Sequence, residues 1–279
     1  MIELPEARTI ARQIEETLRG KVIASGMRGS SPHKFAFYTG SADEYAEILA
    51  GKTLGSAREY GSNIVVRLDP GYGLVLGGGG ERILYHPASE QPPAKHQLLL
   101  AFSDGSHLSV SVQGWGAAQL VPWADLATRS HAGRERVSPL GEEFTFDHFQ
   151  GLWGELAPAD PRSVKYFCIS KPGVWGLGNG YLQDILFRAA LHPRRRAVSL
   201  TTDARRALYD ATVAVLREAT ALGGRDTERD LFSQPGGYKR VMDSTMVGQP
   251  CPVCATPIAK IQYLGGACYH CPSCQPLDA

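Results

Sequence analysis

Residues 250–275 read PCPVCATPIAKIQYLGGACYHCPSCQ. Four cysteines are set out as C-x2-C-x16-C-x2-C: Cys251, Cys254, Cys271 and Cys274. Each CxxC pair brings two thiolates within reach of one ion, and the stretch between them is expected to fold as a β-hairpin. Four sulfurs close a tetrahedral shell and leave no position for a substrate water, which is the structural kind of zinc site. Two unrelated pairs, or a redox pair, are the plainer alternative, but this spacing is a zinc signature. One structural zinc ion is therefore expected. Cys268 stands three residues from Cys271, yet Cys271 and Cys274 make the better pair; Cys168 is also left over.

Upstream, residues 173–188 (GVWGLGNGYLQDILFR) place a glycine-rich turn directly before an apolar-periodic helix. Such a helix start offers unpaired N–H groups and a positive dipole to anions. No Gly-Lys-Ser/Thr follows, so it is not a P-loop, and no strand unit surrounds it as a dinucleotide fingerprint requires. Arg194, Arg195 and Arg196 follow the helix, and alone they would read as a solvated charge run. Turn, helix start and cysteine hairpin together point to a clamp on a phosphate backbone. Helical patterns cover 144–155, 162–168, 179–190 and 202–222, the last with Leu208, Ala211, Val215 and Ala219 in phase.

The first half reads differently. Residues 4–19 carry Ile10, Ile14 and Leu18 at helical spacing, and Ser41 to Glu44 form a capping box for a short helix through Leu49. From about Thr53 to Pro122 come short β-type runs (NIVVRL, GLVLG, RILYH, QLLLAF, HLSVSVQ) separated by Gly and Asp-Gly turns. The fold class is α+β: an N-terminal helix with an antiparallel β-sandwich over 1–123, a linker over 124–143, a helical domain over 144–245, and the cysteine hairpin over 246–279.

The bulk numbers exclude some classes. With 279 residues, 43% hydrophobic and 20% charged, the composition is that of a globular chain long enough for two domains. No run approaches a membrane span, and MIELPEARTI is not a secretory signal. The chain is therefore expected in the cytoplasm, as a monomer. Net charge is +1, but from Pro161 onward Lys/Arg outnumber Asp/Glu 15 to 9, while acids outnumber bases 19 to 14 before it. A basic C-terminal half suits a polyanion.

Three stretches together resemble the Fpg/Nei DNA glycosylases (formamidopyrimidine-DNA glycosylase and endonuclease VIII). Glu3-Leu4-Pro5-Glu6 looks like the family's PELPE opening. Gly176-Leu177-Gly178-Asn179 with Tyr181 and the helix to His192-Pro193 looks like its helix–two-turn–helix signature, and 250–275 looks like its zinc finger. Order and spacing agree along nearly the whole chain. The resemblance implies a nucleoid-associated DNA-repair protein that binds double-stranded DNA, damaged or abasic, extrudes a base and cuts its glycosidic bond. It implies DNA contacts from Asn179, the backbone of Gly176 and Gly178, Lys165, Lys171, Trp115 and Gln113. It also implies that Glu3 is a general acid/base near the sugar and that Glu6 positions the helix start. Two carboxylates at a helix N-terminus would also simply favour its dipole.

The sequence departs from the family at the reacting centre. The family's nucleophile is the amine of an N-terminal proline exposed by Met removal; here Ile2 follows Met1, and Met is normally trimmed only before small residues. A retained Met1 displaces the amine by one residue, and a misplacement of about 1 Å can cost ~10²-fold. The catalytic lysine falls on Ser62. The loop that carries a stack-filling methionine reads Leu76-Gly77-Gly78-Gly79-Gly80. One intercalating arginine falls on Gln113, and the finger-tip arginine on Gly266. Trp115, between Gly114 and Gly116, is either a wedge or a core aromatic, and the flanking glycines favour the wedge. Lesion choice is expected from loops 62–82 and 223–238.

Three functions fit. A divergent glycosylase would release a modified base with weak or absent AP-lyase activity. A non-catalytic homologue would keep the clamp without the chemistry. A zinc-stabilised module would bind RNA or protein instead.

Overall fold

The computed structural model describes residues 1–29, 34–130 and 132–277, which cluster into two compact units. One unit comprises Met1–Arg136 with Thr220–Tyr238; the other comprises Val137–Ala219 and the chain from Lys239 onward.

In the first unit, α1 (Leu4–Leu18) forms where the apolar residues recur every three to four positions, with Pro5 in its first turn. Glu6 Oε2 accepts the Glu3 N–H at 3.0 Å and satisfies a donor at the helix start. The buried face carries Ala7, Ile10, Ala11, Ile14 and Leu18. It packs on β3 (Thr53–Tyr60) and β4 (Asn63–Asp69). Those strands belong to a five-stranded sheet in the order β2-β9-β5-β4-β3, with β2 (Ala36–Phe37), β5 (Tyr72–Gly77) and β9 (Gly116–Pro122). A four-stranded antiparallel sheet runs β1-β7-β8-β6, from Ile23–Arg28, Leu98–Phe102, His107–Val112 and Glu81–His86. Ile64, Val66, Leu74 and Leu76 of the first sheet share one core with Ile83, Leu98, Leu100, Leu108 and Val110 of the second. Helix α2 (Ala42–Leu49) begins with the expected reciprocal cap: Glu44 N–H donates to Ser41 Oγ at 3.2 Å, and Ser41 N–H to Glu44 Oε2 at 2.6 Å.

The second unit holds α4 (Phe146–Gly151), α5 (Val164–Ile169), α6 (Asn179–Arg188) and most of α7 (Thr202–Ala221). These fall on the four expected helical patterns. Phe149, Trp153, Phe167, Phe144 and Tyr209 form an aromatic core, with Trp153 and Phe167 ring centroids 4.0 Å apart. Strands β10 (Ala259–Tyr263) and β11 (Gly266–His270) form the expected hairpin. Leu264 and Gly265 turn it with φ values of 50° and 72°, the left-handed pair of a type I′ turn.

Three features differ from the expectations. Strands β1 and β2 extend the sandwich upstream of Thr53; IASGMR carries a mid-strand glycine and no alternation, so nothing in it signals a strand. The start of the 124–143 stretch is partly helical, with a 3₁₀ turn at Trp123–Asp125 and α3 at Leu126–Arg129. The glycine-rich segment 220–238, which precedes the cysteines in sequence, clusters with the first unit. Among the described residues no helix is long and apolar enough to cross a membrane.

Candidate functional site

The chain start in the first unit is held by a buried ionic cluster that the sequence reading missed. Arg225, 4% exposed, lies between Glu3 and Glu6, each 2% exposed. Its Nη1 reaches Glu3 Oε1 at 3.2 Å, and its Nε and backbone N–H both reach Glu6 Oε1 at 3.0 Å. Nη2 donates to the Met1 carbonyl. Beside it, Glu228 pairs with the Met1 α-ammonium through Oε1 and with Arg82 Nη1 through Oε2, the latter at 2.9 Å. Burial opposes charge on Glu228, but the α-ammonium, Arg225 and Arg82 hold its carboxyl below the ordinary value. The cluster orients Glu3 and occupies the first residue's amine and carbonyl. The signal for it was the charged run Arg225-Asp226-Thr227-Glu228 directly after two glycines at the end of an apolar helix.

Ile2 is a core residue, and its N–H donates to the Gly79 carbonyl at 2.7 Å. Gly80 N–H in turn donates to the Trp115 carbonyl at 2.8 Å, and Gln113 N–H to the Gly80 carbonyl at 2.6 Å. The glycines permit this approach: a Cβ on Gly79 would fall 2.0 Å from the Trp115 carbonyl oxygen, and one on Gly80 would fall 1.9 Å from that of Gln113. Glu81, 1% exposed, fastens the same loop: Oε2 accepts Gly79 N–H at 3.0 Å and Oε1 accepts Ala117 N–H at 2.7 Å. Burial pushes its carboxyl up to about 7. Ser62, half-buried, accepts Gly78 N–H through its carbonyl at 2.8 Å. Gln113 is exposed, and Trp115 is 43% exposed, so the indole is not a core aromatic.

In the second unit the structure brings Lys165, Asn179 and Gly266 together at the hairpin. Lys165, 1% exposed, donates from Nζ to the Tyr263 carbonyl at 2.7 Å and approaches Cys268 Sγ at 3.4 Å. Asn179 Nδ2 donates to the Ala267 carbonyl at 3.2 Å, and Gln183 links Asn179 Oδ1 (2.9 Å) to Tyr269 N–H (3.2 Å). A Cβ on Gly266 would sit 3.4 Å from Asn179 Nδ2 and 3.6 Å from Lys165 Nζ. Lys165 and Asn179 thus dock the hairpin on α5 and α6. Gly178 caps α6 in extended geometry, Gly176 has φ 77°, and Lys171 is exposed before them.

The four cysteines converge. Their sulfurs lie within 4.8 Å of one another, at 3.4 Å for Cys254–Cys271 and Cys254–Cys274 and 3.8 Å for Cys251–Cys274. Four ligands at ~2.3 Å from one ion would be ~3.8 Å apart, so the cluster has the dimensions to hold a metal ion. Gln275 ties it down, accepting Cys271 N–H at 3.0 Å and donating to the Leu191 carbonyl at 2.8 Å. Cys168 lies outside it, and full burial pushes its thiol up to about 12.

A helix-led β-sandwich followed by a helical unit with a four-cysteine hairpin defines a class of DNA-repair glycosylases. Residues 1–113 match the formamidopyrimidine-DNA glycosylase N-terminal domain, and residues 137–230 the formamidopyrimidine-DNA glycosylase H2TH domain. The formamidopyrimidine-DNA glycosylases of Cytobacillus firmus and Pelotomaculum thermopropionicum are each 30% identical to it over 99% of this chain, and 100% and 99% of theirs. The Fpg (MutM) protein of Thermus thermophilus superposes with a TM-score of 0.81 at 27% identity, over 98% of both chains. Lactococcus lactis Fpg, in a complex with abasic-site DNA, gives 0.83 at 22%, over 98% of this chain and 99% of that one. The chain belongs to the formamidopyrimidine-DNA glycosylase family.

Proposed function

We propose that the protein is a DNA glycosylase that binds damaged duplex DNA and releases a modified base by hydrolysis through Glu3, with weak or absent AP-lyase activity. The carrying observation is the Arg225 clamp, which holds Glu3 as an oriented carboxylate beside the first residue of the chain. A carboxylate so placed is suited to take a proton from water attacking the sugar C1′. The covalent route needs an amine free to attack, and here the α-ammonium of Met1 is ion-paired to Glu228 while Ile2 is packed in the core. Ser62 supplies no charge where the family has its lysine.

Duplex binding is supported by the relatives, among them an Fpg crystallised with abasic-site DNA, and by the α6 start beside the Lys165–Asn179 cluster. Zinc is the metal proposed for Cys251, Cys254, Cys271 and Cys274, since four thiolates in a closed shell suit it, and its role is to fix the hairpin. Glu3, Glu6 and the first two residues form the proposed reacting centre. Asn179, Gly176, Gly178 and Lys171 line the proposed phosphate side, with Lys165 buried behind them against the hairpin, and Gln113 and Trp115 line the proposed stack side.

One observation favours the non-catalytic alternative: Glu3 is almost wholly buried. The deciding experiment is base release from duplexes carrying oxidised bases, by wild type and Glu3→Gln. Release lost in Glu3→Gln supports hydrolysis; release that persists removes Glu3 from the chemistry; no release by wild type favours the non-catalytic reading.

A further inference from the structure

We propose that a cleft in the second unit, between α4 and the start of α7, holds the free C-terminus of a partner protein that ends in an apolar residue. The cleft shares no residue with the proposed reacting centre or the proposed phosphate side, so it does not depend on the glycosylase reading.

The cleft measures about 420 Å³, the scale of a small-ligand pocket. Three stretches of chain build it. Helix α4 contributes Gln150, and the 3₁₀ turn Leu152–Glu155 with the loop after it contributes Trp153, Leu156 and Pro158. The second 3₁₀ turn, Ala197–Ser199, brings Val198, and the start of α7 brings Arg205. Trp153 is fixed before any ligand arrives. Its Nε1 donates to the Ala197 carbonyl at 2.9 Å, and its ring packs on Phe149 and Phe167 with centroids 5.3 Å and 4.0 Å away. A wall held in this way loses little freedom on binding.

The chemistry of the lining selects the occupant. The Arg205 guanidinium carbon lies 4.8 Å from the Trp153 ring centroid, and Nε donates to the Leu200 carbonyl at 3.1 Å. These contacts hold one edge of the guanidinium. Nη1 and Nη2 have no hydrogen-bond partner and no carboxylate among the described residues. Burial works against the charge and holds Arg205 below the ordinary arginine value. A half-buried, unpaired guanidinium is a place for an anion from outside the chain. Gln150 is half-buried too, and its side-chain amide has no partner among the described residues. A guanidinium matches a carboxylate through two parallel bonds, and an amide offers both a donor and an acceptor for a peptide N–H. Leu156, Pro158 and Val198 are left to cover an apolar side chain. A chain end carries all three groups on its last residue, and capture of its carboxylate is a recurring mode of peptide recognition. A nucleic-acid phosphate would leave the apolar walls unused. Arg206, next in sequence and exposed over the Phe146 ring at 3.5 Å, adds positive charge that favours an anionic chain end.

The test is fluorescence polarisation of the full chain with dye-labelled glycine-serine peptides that end in leucine, as the free acid or as the C-terminal amide, and a third that ends in serine as the free acid. Wild type should bind the leucine acid at least about tenfold more tightly than its amide, the scale of hydrogen bonds to a charged group. It should also bind the leucine acid at least about fivefold more tightly than the serine acid, since the apolar walls then cover a side chain. Arg205→Met should weaken binding of the leucine acid by at least about tenfold and leave duplex affinity unchanged, with a thermal melt confirming that the variant folds. The comparison of acid with amide needs only wild type, so it decides the matter even if the variant is unstable. No saturable binding of the leucine acid, equal binding of acid and amide, or undiminished affinity in a folded Arg205→Met overturns the proposal. Displacement of the peptide by an equal concentration of sodium hexanoate would identify a small carboxylate as the occupant, and displacement by an undamaged DNA duplex would identify a phosphate backbone. Either result also overturns it.

Discussion

Replacing Arg225 by methionine removes the guanidinium and keeps most of the side-chain volume. Three guanidinium hydrogen bonds go with it, one each to Glu6, Glu3 and the Met1 carbonyl, while the backbone N–H bond to Glu6 can survive the substitution. Two carboxylates at 2% exposure are left without their cation. Breaking a buried pair by removing one partner costs about 3–5 kcal/mol, whereas an exposed pair is worth about 0–1. Within a cooperative unit of this size, each kcal/mol lowers Tm by about 2–4 °C, so a fall of roughly 6–20 °C is expected. Urea and thermal unfolding of wild type, Arg225→Met, Glu6→Gln and the double variant measure both the loss and the coupling. The double variant should recover about 0.5–3 kcal/mol relative to additivity. A loss under about 1 kcal/mol, or strict additivity, would refute the idea that Arg225 is the buried tie of the chain start.

Other outcomes follow from the same geometry. Gly266→Arg places a guanidinium beside Lys165 and Asn179 without a clash at Cβ; duplex affinity should rise and the slope of log K against log salt should steepen by about one, as fluorescence anisotropy across a salt series reads. Chelation should remove one equivalent of zinc per chain, measured by a chromogenic indicator, and abolish duplex binding while the circular dichroism of the sandwich persists. Glu81 binds its proton more tightly folded than unfolded, with a carboxyl raised to about 7. Stability should therefore fall as pH rises from about 4.5 through 7, by about 3 kcal/mol in all, and denaturant midpoints for Glu81→Gln should lose that slope.

Much of the fold was legible because its signals are local. The apolar period of α1, the Ser41–Glu44 cap, the short β-type runs of β4 to β8 and the paired cysteines each state their structure within a few residues. Strand β1 was not legible, since its place beside β7 is set by the sheet and not by IASGMR. The carboxylates Glu3 and Glu6 could be picked out as site residues, but their cation could not. Arg225 lies more than two hundred residues away, and only folding of segment 220–238 onto the first unit brings it in. Lys165 is a site residue through the family resemblance alone, and the hairpin carbonyl of Tyr263 explains its burial.

Borohydride trapping separates hydrolysis through Glu3 from covalent catalysis at the chain start, on duplexes carrying an oxidised base or an abasic site, with the intact mass of the protein recorded alongside. The protein should retain Met1, release the base and yield no trapped adduct. A trapped adduct at the N-terminal amine, at a level matching base release, would contradict hydrolysis through Glu3.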